Sequence, residues 1–243
     1  MWRLIEDGEM FLPAEAMFAT APADERGDGA NVPYGCLLIR TATDTVLVDT
    51  GMGAYEHPLG GRGGKLEVAL AAEGVGPEDV SVLVITHAHL DHIGGLAKDG
   101  RPRFPAARHV MSRIERDWSA GRGDPVGDAQ LPPLEQAGVL ELVDAPAEPV
   151  PGVRLLHAPG HTPGHLAVEI PGELLFLADA IVDPRHVEHP EWAMAFDEDR
   201  EAVTRTRRGL LGRAADEGLT VTASHLRQAA RVERRAEGFR LVA

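Results

Sequence analysis

Residues 86 to 95 read THAHLDHIGG and follow the apolar run VSVLVI, so three histidines and an aspartate crowd into positions 87 to 92, just past a strand. In an extended chain alternate side chains lie on one face, so His87 and His89 point the same way. Asp91 and His92 are neighbours, and the chain must turn before both aim inward; Gly94-Gly95 just beyond supplies flexibility for that turn. Imidazole and carboxylate are donors for zinc, manganese, iron or cobalt. The lack of clustered thiolates argues against a closed structural zinc site.

Matching residues lie downstream. HAPGHTPGH places His157, His161 and His165 at four-residue spacing. A helix would align them, but Pro159 and Pro163 exclude a continuous helix, so spacing leaves open which of the three is a ligand. Asp179 in LFLADA and His225 in VTASHL each end a short apolar strand. Taken singly they read as a turn aspartate and a core histidine satisfied by backbone. The number of donors argues for more. One open catalytic metal takes about three protein ligands and keeps a position for water. The first cluster, one histidine of HAPGHTPGH, Asp179 and His225 together suffice for two ions roughly 3.5–4 Å apart that share a carboxylate. Such a pair lowers the pKa of water from about 15.7 towards about 7, and the expected chemistry is attack by a bridging hydroxide on a carbonyl or phosphoryl centre.

Strands and helices must position these groups. Short β-like runs cover 35–40, 45–49, 80–86, 109–111, 153–157, 166–170, 174–178, 220–223 and 239–242, many bounded by Gly, Pro or Asp. Pro171-Gly172 suggests a hairpin. KLEVALAAEG predicts a helix ending at Gly74, and 199–217 predicts another with Val203, Leu210 and Ala214 on one stripe and Gly218 as its stop. Segments 21–30, 57–64, 120–133 and 183–199 read as loops. Interleaved strands and helices favour sheets covered by helices, in one domain spanning 1–243.

These residues resemble the metallo-β-lactamase fold superfamily: THAHLDHIGG, a later HTPGH, an aspartate after LFLA and a histidine after VTAS, in that order and over nearly the whole chain. The resemblance implies an α/β fold, an αββα four-layer sandwich with the metals at one edge of the packed sheets. It implies that His87, His89 and His161 hold one metal, that Asp91, His92 and His225 hold the other, and that Asp179 bridges, with Asp91 and Asp179 as the catalytic carboxylates. Only the family pattern selects His161 from its three neighbours. The cofactor it implies is two divalent ions, zinc first, with manganese, iron or cobalt as alternatives. VLVDTG matches another family segment, and Asp49 is expected to orient a ligand imidazole. His165 either lines the site or packs behind it. His57, His109, His157, His186 and His189 carry no metal role, and Cys36 reads as a small buried residue.

Within the superfamily the chain is most similar to the lactonase and phosphotriesterase-like branch, which implies a hydrolase of lactones or related carboxylic esters, with organophosphate triesters as the alternative. The match is incomplete. Lactonases of that branch carry a tyrosine shortly after the bridging aspartate, where it hydrogen-bonds the lactone oxygen; here Asp179 is followed by Ala180, Ile181 and Val182. Phosphotriesterase-like relatives follow the last histidine with aromatic and proline residues, whereas this chain has Leu226-Arg227-Gln228-Ala229. Trp192 and Phe196 are candidates for an apolar pocket wall.

Bulk properties narrow the field. With 24 basic and 38 acidic residues the net charge is −14, which argues against nucleic acid or an anionic membrane as partner. No basic patch for glutathione carboxylates is visible. The N-terminus lacks the order of a signal peptide, so a cytoplasmic, soluble protein is expected. An iron-dependent oxidoreductase on the same fold fits less well, because that group replaces a histidine of HxHxDH with glutamate. The expected partner is a small-molecule substrate, and the resemblance allows a homodimer.

Overall fold

Valine, leucine and isoleucine occupy both odd and even positions of the central strands, which is what a sheet buried on both faces requires. The chain, seen in a computed structural model, is described for residues 1–242. The N-terminal half contributes β1 (Trp2–Leu12), β2 (Ala30–Arg40), β3 (Thr45–Val48), β4 (Val82–Ile85), a two-residue ribbon of β5 (Ala97–Lys98) and β6 (Arg101–Pro102), β7 (Arg108–Ser112) and β8 (Leu140–Val143). The C-terminal half contributes β9 (Ala147–Val150), β10 (Val153–His157), β11 (Leu166–Ile170), β12 (Leu174–Phe176), β13 (Thr220–Thr222), β14 (Ala230–Arg234) and β15 (Phe239–Val242).

The first large sheet has the order β1-β2-β3-β4-β7-β8, with β3, β4, β7 and β8 parallel. The second runs β15-β14-β13-β12-β11-β10-β9 and is antiparallel except at β12-β13. Alternation sorts the side chains into layers. Leu37, Ile39, Val46, Val48, Val82 and Val84 of the first sheet meet Leu155, Val168, Leu174 and Phe176 of the second. Their sequence neighbours Cys36, Leu38, Leu47, Leu83 and Ile85 face outward onto Leu66 and Leu70 of the helix Leu66–Ala72. On the far side, Leu175 and Val221 pack against Leu211 and Ala214 of the helix Arg200–Glu217. The result is the expected αββα sandwich.

Several sequence expectations need correction. The sequence pattern does not mark β1, β8, β9 and β14 as strands. In WRLIEDGEMFL the alternation breaks at a bulge between Glu6 and Gly8, where Asp7 turns inward and is fully buried. The segment 120–133 is not a plain loop: Asp124 accepts the N–H groups of Val126 and Gly127, with Pro125 in the first turn, and so starts the helix Pro125–Gln130. The helix Pro132–Gln136 follows. The run 174–178 leaves the strand at Phe176, and Ala178 takes φ 44° in a turn that delivers Asp179. On the helix Arg200–Glu217 the buried stripe is Val203, Arg207, Leu211 and Ala214, with Leu210 only half-buried. Gly94 and Gly95 serve close approach rather than flexibility: a Cβ on Gly95 would stand 2.5 Å from the Thr50 carbonyl oxygen.

Candidate metal centre

β4 ends at Ile85, and His87 and His89 follow in the segment leading from it. The turn needed to aim Asp91 and His92 inward is the one-turn helix Leu90–Ile93. His161 and Asp179 come from the loops after β10 and β12, and His225 from the segment after β13. Seven side chains thus converge in two groups. In one, ligand atoms of His87, His89 and His161 all lie within 4.8 Å of one another; in the other, so do those of Asp91, His92, Asp179 and His225. Asp179 reaches both. Its Oδ1 is 3.2 Å from His92 Nε2, and its Oδ2 is 3.2 Å from His225 Nε2, 3.6 Å from His161 Nε2 and 4.0 Å from His87 Nε2.

Hydrogen bonds behind the rings decide which nitrogens face inward. The Thr86 hydroxyl donates to Asp49 Oδ2 at 2.8 Å, so it can only accept from His87 Nδ1, 3.0 Å away. That leaves His87 Nε2 as a bare lone pair, buried and without a partner. His92 Nδ1 donates to Asp49 Oδ2 at 2.8 Å, His161 Nδ1 to Asp197 Oδ1 at 3.0 Å, and His225 Nδ1 to the Pro33 carbonyl at 2.7 Å. Each bond points the ring's other nitrogen into the cradle, as oriented metal ligands require. His92 Nε2 and Asp179 Oδ1 are likewise buried without a hydrogen bond, and His89 Nδ1 lies only 2.9 Å from His161 Nε2. Lone pairs crowded this way are costly unless a cation sits between them, so the residues fit two divalent ions.

The electrostatics of the metal-free chain divide the two groups. Burial pushes the His87 imidazole well below its ordinary value and His89 down to about 3. Burial acts the same way on His92 and His225, but there Asp179 and Asp91 outweigh it and hold both imidazoles above the ordinary value. Asp179 is held well below the carboxylate range: burial opposes this, and the cationic His225 and His92 outweigh it. Protons on these two rings are what an arriving metal would displace.

Other carboxylates position the ligand loops, and sequence reasoning singled out only Asp49 among them. Asp49, at φ 63°, also accepts the Thr86 N–H at 2.8 Å and so ties the end of β3 to the His87 segment. Glu115 is fully buried. Its Oε1 accepts the Ala88 N–H at 2.9 Å, and its Oε2 accepts the Thr162 hydroxyl at 2.6 Å and the Gly164 N–H at 3.0 Å, clamping the His87–His89 segment to the His161 loop. Burial raises its carboxyl. Asp197 accepts the Met194 N–H at 2.8 Å and lies 3.5 Å from the buried guanidinium of Arg207. In the run AFDED nothing marks Asp197 apart; Asp199, which accepts the Ala202 N–H, takes the helix-cap role such a run suggests.

The remaining expected residues fall as follows. His165 lies behind the cradle, its Nε2 accepting the Asp179 N–H at 3.1 Å. His157 is exposed and bonded to the Pro163 carbonyl. Phe196 lines a cavity of about 330 Å³ whose floor includes His89, Asp91, His161, Asp179 and His225. Trp192 does not line it, a correction to the expected wall: it packs edge-on to Phe18 and stacks on His189, inside an apolar cluster with Met17 and Met194. The apolar wall is made instead by Met10, Leu12, Leu90, Trp118, Val182 and Met194. No helix among the described residues is long and apolar enough to cross a membrane.

Comparison with known proteins bears on the family and the fold. An N-acyl homoserine lactonase of Bacillus cereus is 28% identical over 193 residues, covering 71% of this chain and 74% of its own. Among solved structures, the dizinc quorum-quenching lactonase AidC, in complex with a product, superposes with a TM-score of 0.88 at 24% identity, over 99% of this chain and 93% of that one. The hydrolase AbOPH of the beta lactamase superfamily superposes with a TM-score of 0.89 at 21% identity, with the same coverage. The sequence pattern of the Metallo-beta-lactamase superfamily matches residues 33–225, and the chain belongs to that superfamily.

Proposed function

We propose that this metal-dependent hydrolase opens the ring of a lactone, with N-acyl homoserine lactones as the substrate class. The observation that carries the reading is the cavity: an apolar wall stands directly over a cradle of inward-facing lone pairs. His87, His89 and His161 would hold one ion, Asp91, His92 and His225 the other, and Asp179 would be shared, with zinc as the metal that suits imidazole and carboxylate donors in an open site. Two such ions supply a water nucleophile at neutral pH and polarise an ester carbonyl. The chain's own residues do the rest. Asp49, Asp197 and the Pro33 carbonyl keep the imidazoles oriented. Leu12, Val182, Met194 and Phe196 suit an acyl chain and keep bulk water from it. The relatives named as lactonases support the same choice.

A phosphotriester is the second reading, favoured by the run Ala180-Ile181-Val182 after Asp179, which supplies no tyrosine and turns the apolar Val182 to the cavity. The deciding experiment compares kcat/KM for N-hexanoyl homoserine lactone and an aryl phosphotriester on metal-replete protein, with Asp179→Asn as the blank. A lactone preference of about 100-fold or more, some 2.7 kcal/mol of transition-state discrimination, is expected. The reverse preference would replace the first reading with the second.

A further inference from the structure

Among the described residues no tyrosine lines the cavity, so a different side chain must meet the leaving oxygen of an ester if any does. Ser119, on the cavity wall, donates its hydroxyl hydrogen to the Arg116 carbonyl at 3.0 Å. Arg122 lies over the Trp118 ring at 4.0 Å and bonds Glu198 at 3.0 Å, while Trp118 stands edge-on to His89 beside the imidazole-rich group.

His57 differs from all of these. It lines the cavity together with Asp91 and His225. Its Nδ1 accepts the N–H of Leu59 at 3.1 Å, so in the neutral ring the hydrogen resides on Nε2. Among the described residues that Nε2 has no hydrogen-bond partner. Burial lowers the imidazole below its ordinary value, and the charged groups acting on it are Asp91 and His225, the carboxylate-rich side of the cradle.

The loop that presents His57 is anchored at both ends by one carboxylate. Asp7 Oδ2 accepts the Met52 N–H at 2.9 Å, and its Oδ1 accepts the N–H groups of Gly64 at 2.9 Å and Leu66 at 2.8 Å. Within the loop the His57 N–H donates to the Gly61 carbonyl at 2.9 Å, and the Gly60 N–H donates to the His57 carbonyl at 2.8 Å. The β1 bulge that buries Asp7 thus anchors the loop that carries His57 to the cavity wall, a support of the kind that directional recognition needs.

We propose that His57 is a specificity-determining residue: its Nε2–H donates a hydrogen bond to the leaving oxygen of a lactone or alkyl ester seated over Asp91 and His225. The proposal rests on the hydrolase reading of the cavity given above. An alkoxide leaving oxygen develops strong negative charge and gains most from such a donor, whereas a nitrophenoxide needs little help.

The test compares wild type, His57→Phe and His57→Gln on N-hexanoyl homoserine lactone and on p-nitrophenyl hexanoate, with metal content and Tm measured for each. His57→Phe is expected to lower kcat/KM for the lactone by about 10- to 100-fold and for the nitrophenyl ester by less than about 3-fold, with unchanged metal content. His57→Gln, which keeps an N–H donor, recovers most of the loss. Independently of turnover, calorimetric titration with the ring-opened product N-hexanoyl homoserine should show about 10-fold weaker binding in His57→Phe. Equal losses on both substrates, no loss on either, or a glutamine variant no better than phenylalanine would overturn the role of His57. A wild type inert towards both esters would instead sink the lactone and ester reading of the cavity, and this proposal with it.

Discussion

The two halves of the cradle are built from different chemistry. His87, His89 and His161 form a group of three imidazoles, two of them, His87 and His89, pushed far from protonation by burial. Asp91, His92, Asp179 and His225 form a group with two carboxylates whose imidazoles are drawn towards the cation. A dication held by three imidazoles and a share of Asp179 keeps more of its charge than one held by Asp91 as well as Asp179. The carboxylate group should therefore bind its ion first and tighter, while the imidazole group keeps the stronger Lewis acid for polarising a carbonyl. The cavity borders both groups: His57 shares its lining with Asp91 and His225, and Trp118 stands edge-on to His89.

Removing the shared carboxylate tests the division most harshly. Asp179→Ala should lower kcat/KM by on the order of 10³-fold or more and leave fewer than two ions per chain by elemental analysis, because both groups lose a donor. A fully loaded, fully active Asp179→Ala protein would break the whole assignment. A finer test follows the order of binding in zinc titrations with a competing chelator. Asp91→Asn should weaken the tighter event by about 10- to 100-fold, whereas His89→Ala should abolish the weaker event and spare the tighter. The opposite pattern would reverse the comparison.

The contrast between these groups was already visible as spelling, since HxHxDH writes both into one segment. The layers were legible for the same reason: Val46, Val48, Val82 and Val84 alternate with Leu47, Leu83 and Ile85, and a period of two needs no tertiary knowledge. What escaped is instructive. β1 was hidden because Glu6, Asp7 and Glu9 break its apolar pattern, yet Asp7 is buried there, satisfied by backbone N–H groups from residues far along the chain. Glu115, Asp197 and Arg207 were invisible on the same principle. A buried charge is recognised by its partners, and those partners are distant in sequence. Trp192 belongs to the core cluster, and an aromatic in a long loop looks the same in sequence whether it faces substrate or core.

Two carboxylates that orient ligand rings sharpen the comparison further. Asp49 orients His92 in the carboxylate group, and Asp197 orients His161 in the imidazole group. Asp49→Asn should cost about 10- to 100-fold in metal affinity or kcat/KM. Asp197→Asn should cost less and fall on the weaker-binding ion, because Asp49 also holds the Thr86 N–H and hydroxyl and its loss disturbs the His87 segment as well. Metal titrations of both variants, read for which step moves, check this.

The smallest effect concerns the metal-free chain. A histidine ordinarily titrates near about 6.5. His89, at about 3 when folded, stays neutral in the native state while the unfolded chain takes up a proton. Its stabilising contribution is therefore present above the unfolded value and lost as pH falls through the window between the two. His92 is raised instead, so the folded state retains a proton that the unfolded chain has released. Its contribution is present below the unfolded value and lost as pH rises through the folded one. The two groups thus pull stability in opposite directions on either side of neutrality. In chelator-treated protein, His89→Gln should flatten the acid limb of Tm against pH and His92→Gln the alkaline limb, each by about 3 °C per pH unit at most. If both substitutions flatten the same limb, the two halves of the cradle do not differ in charge as their donors imply.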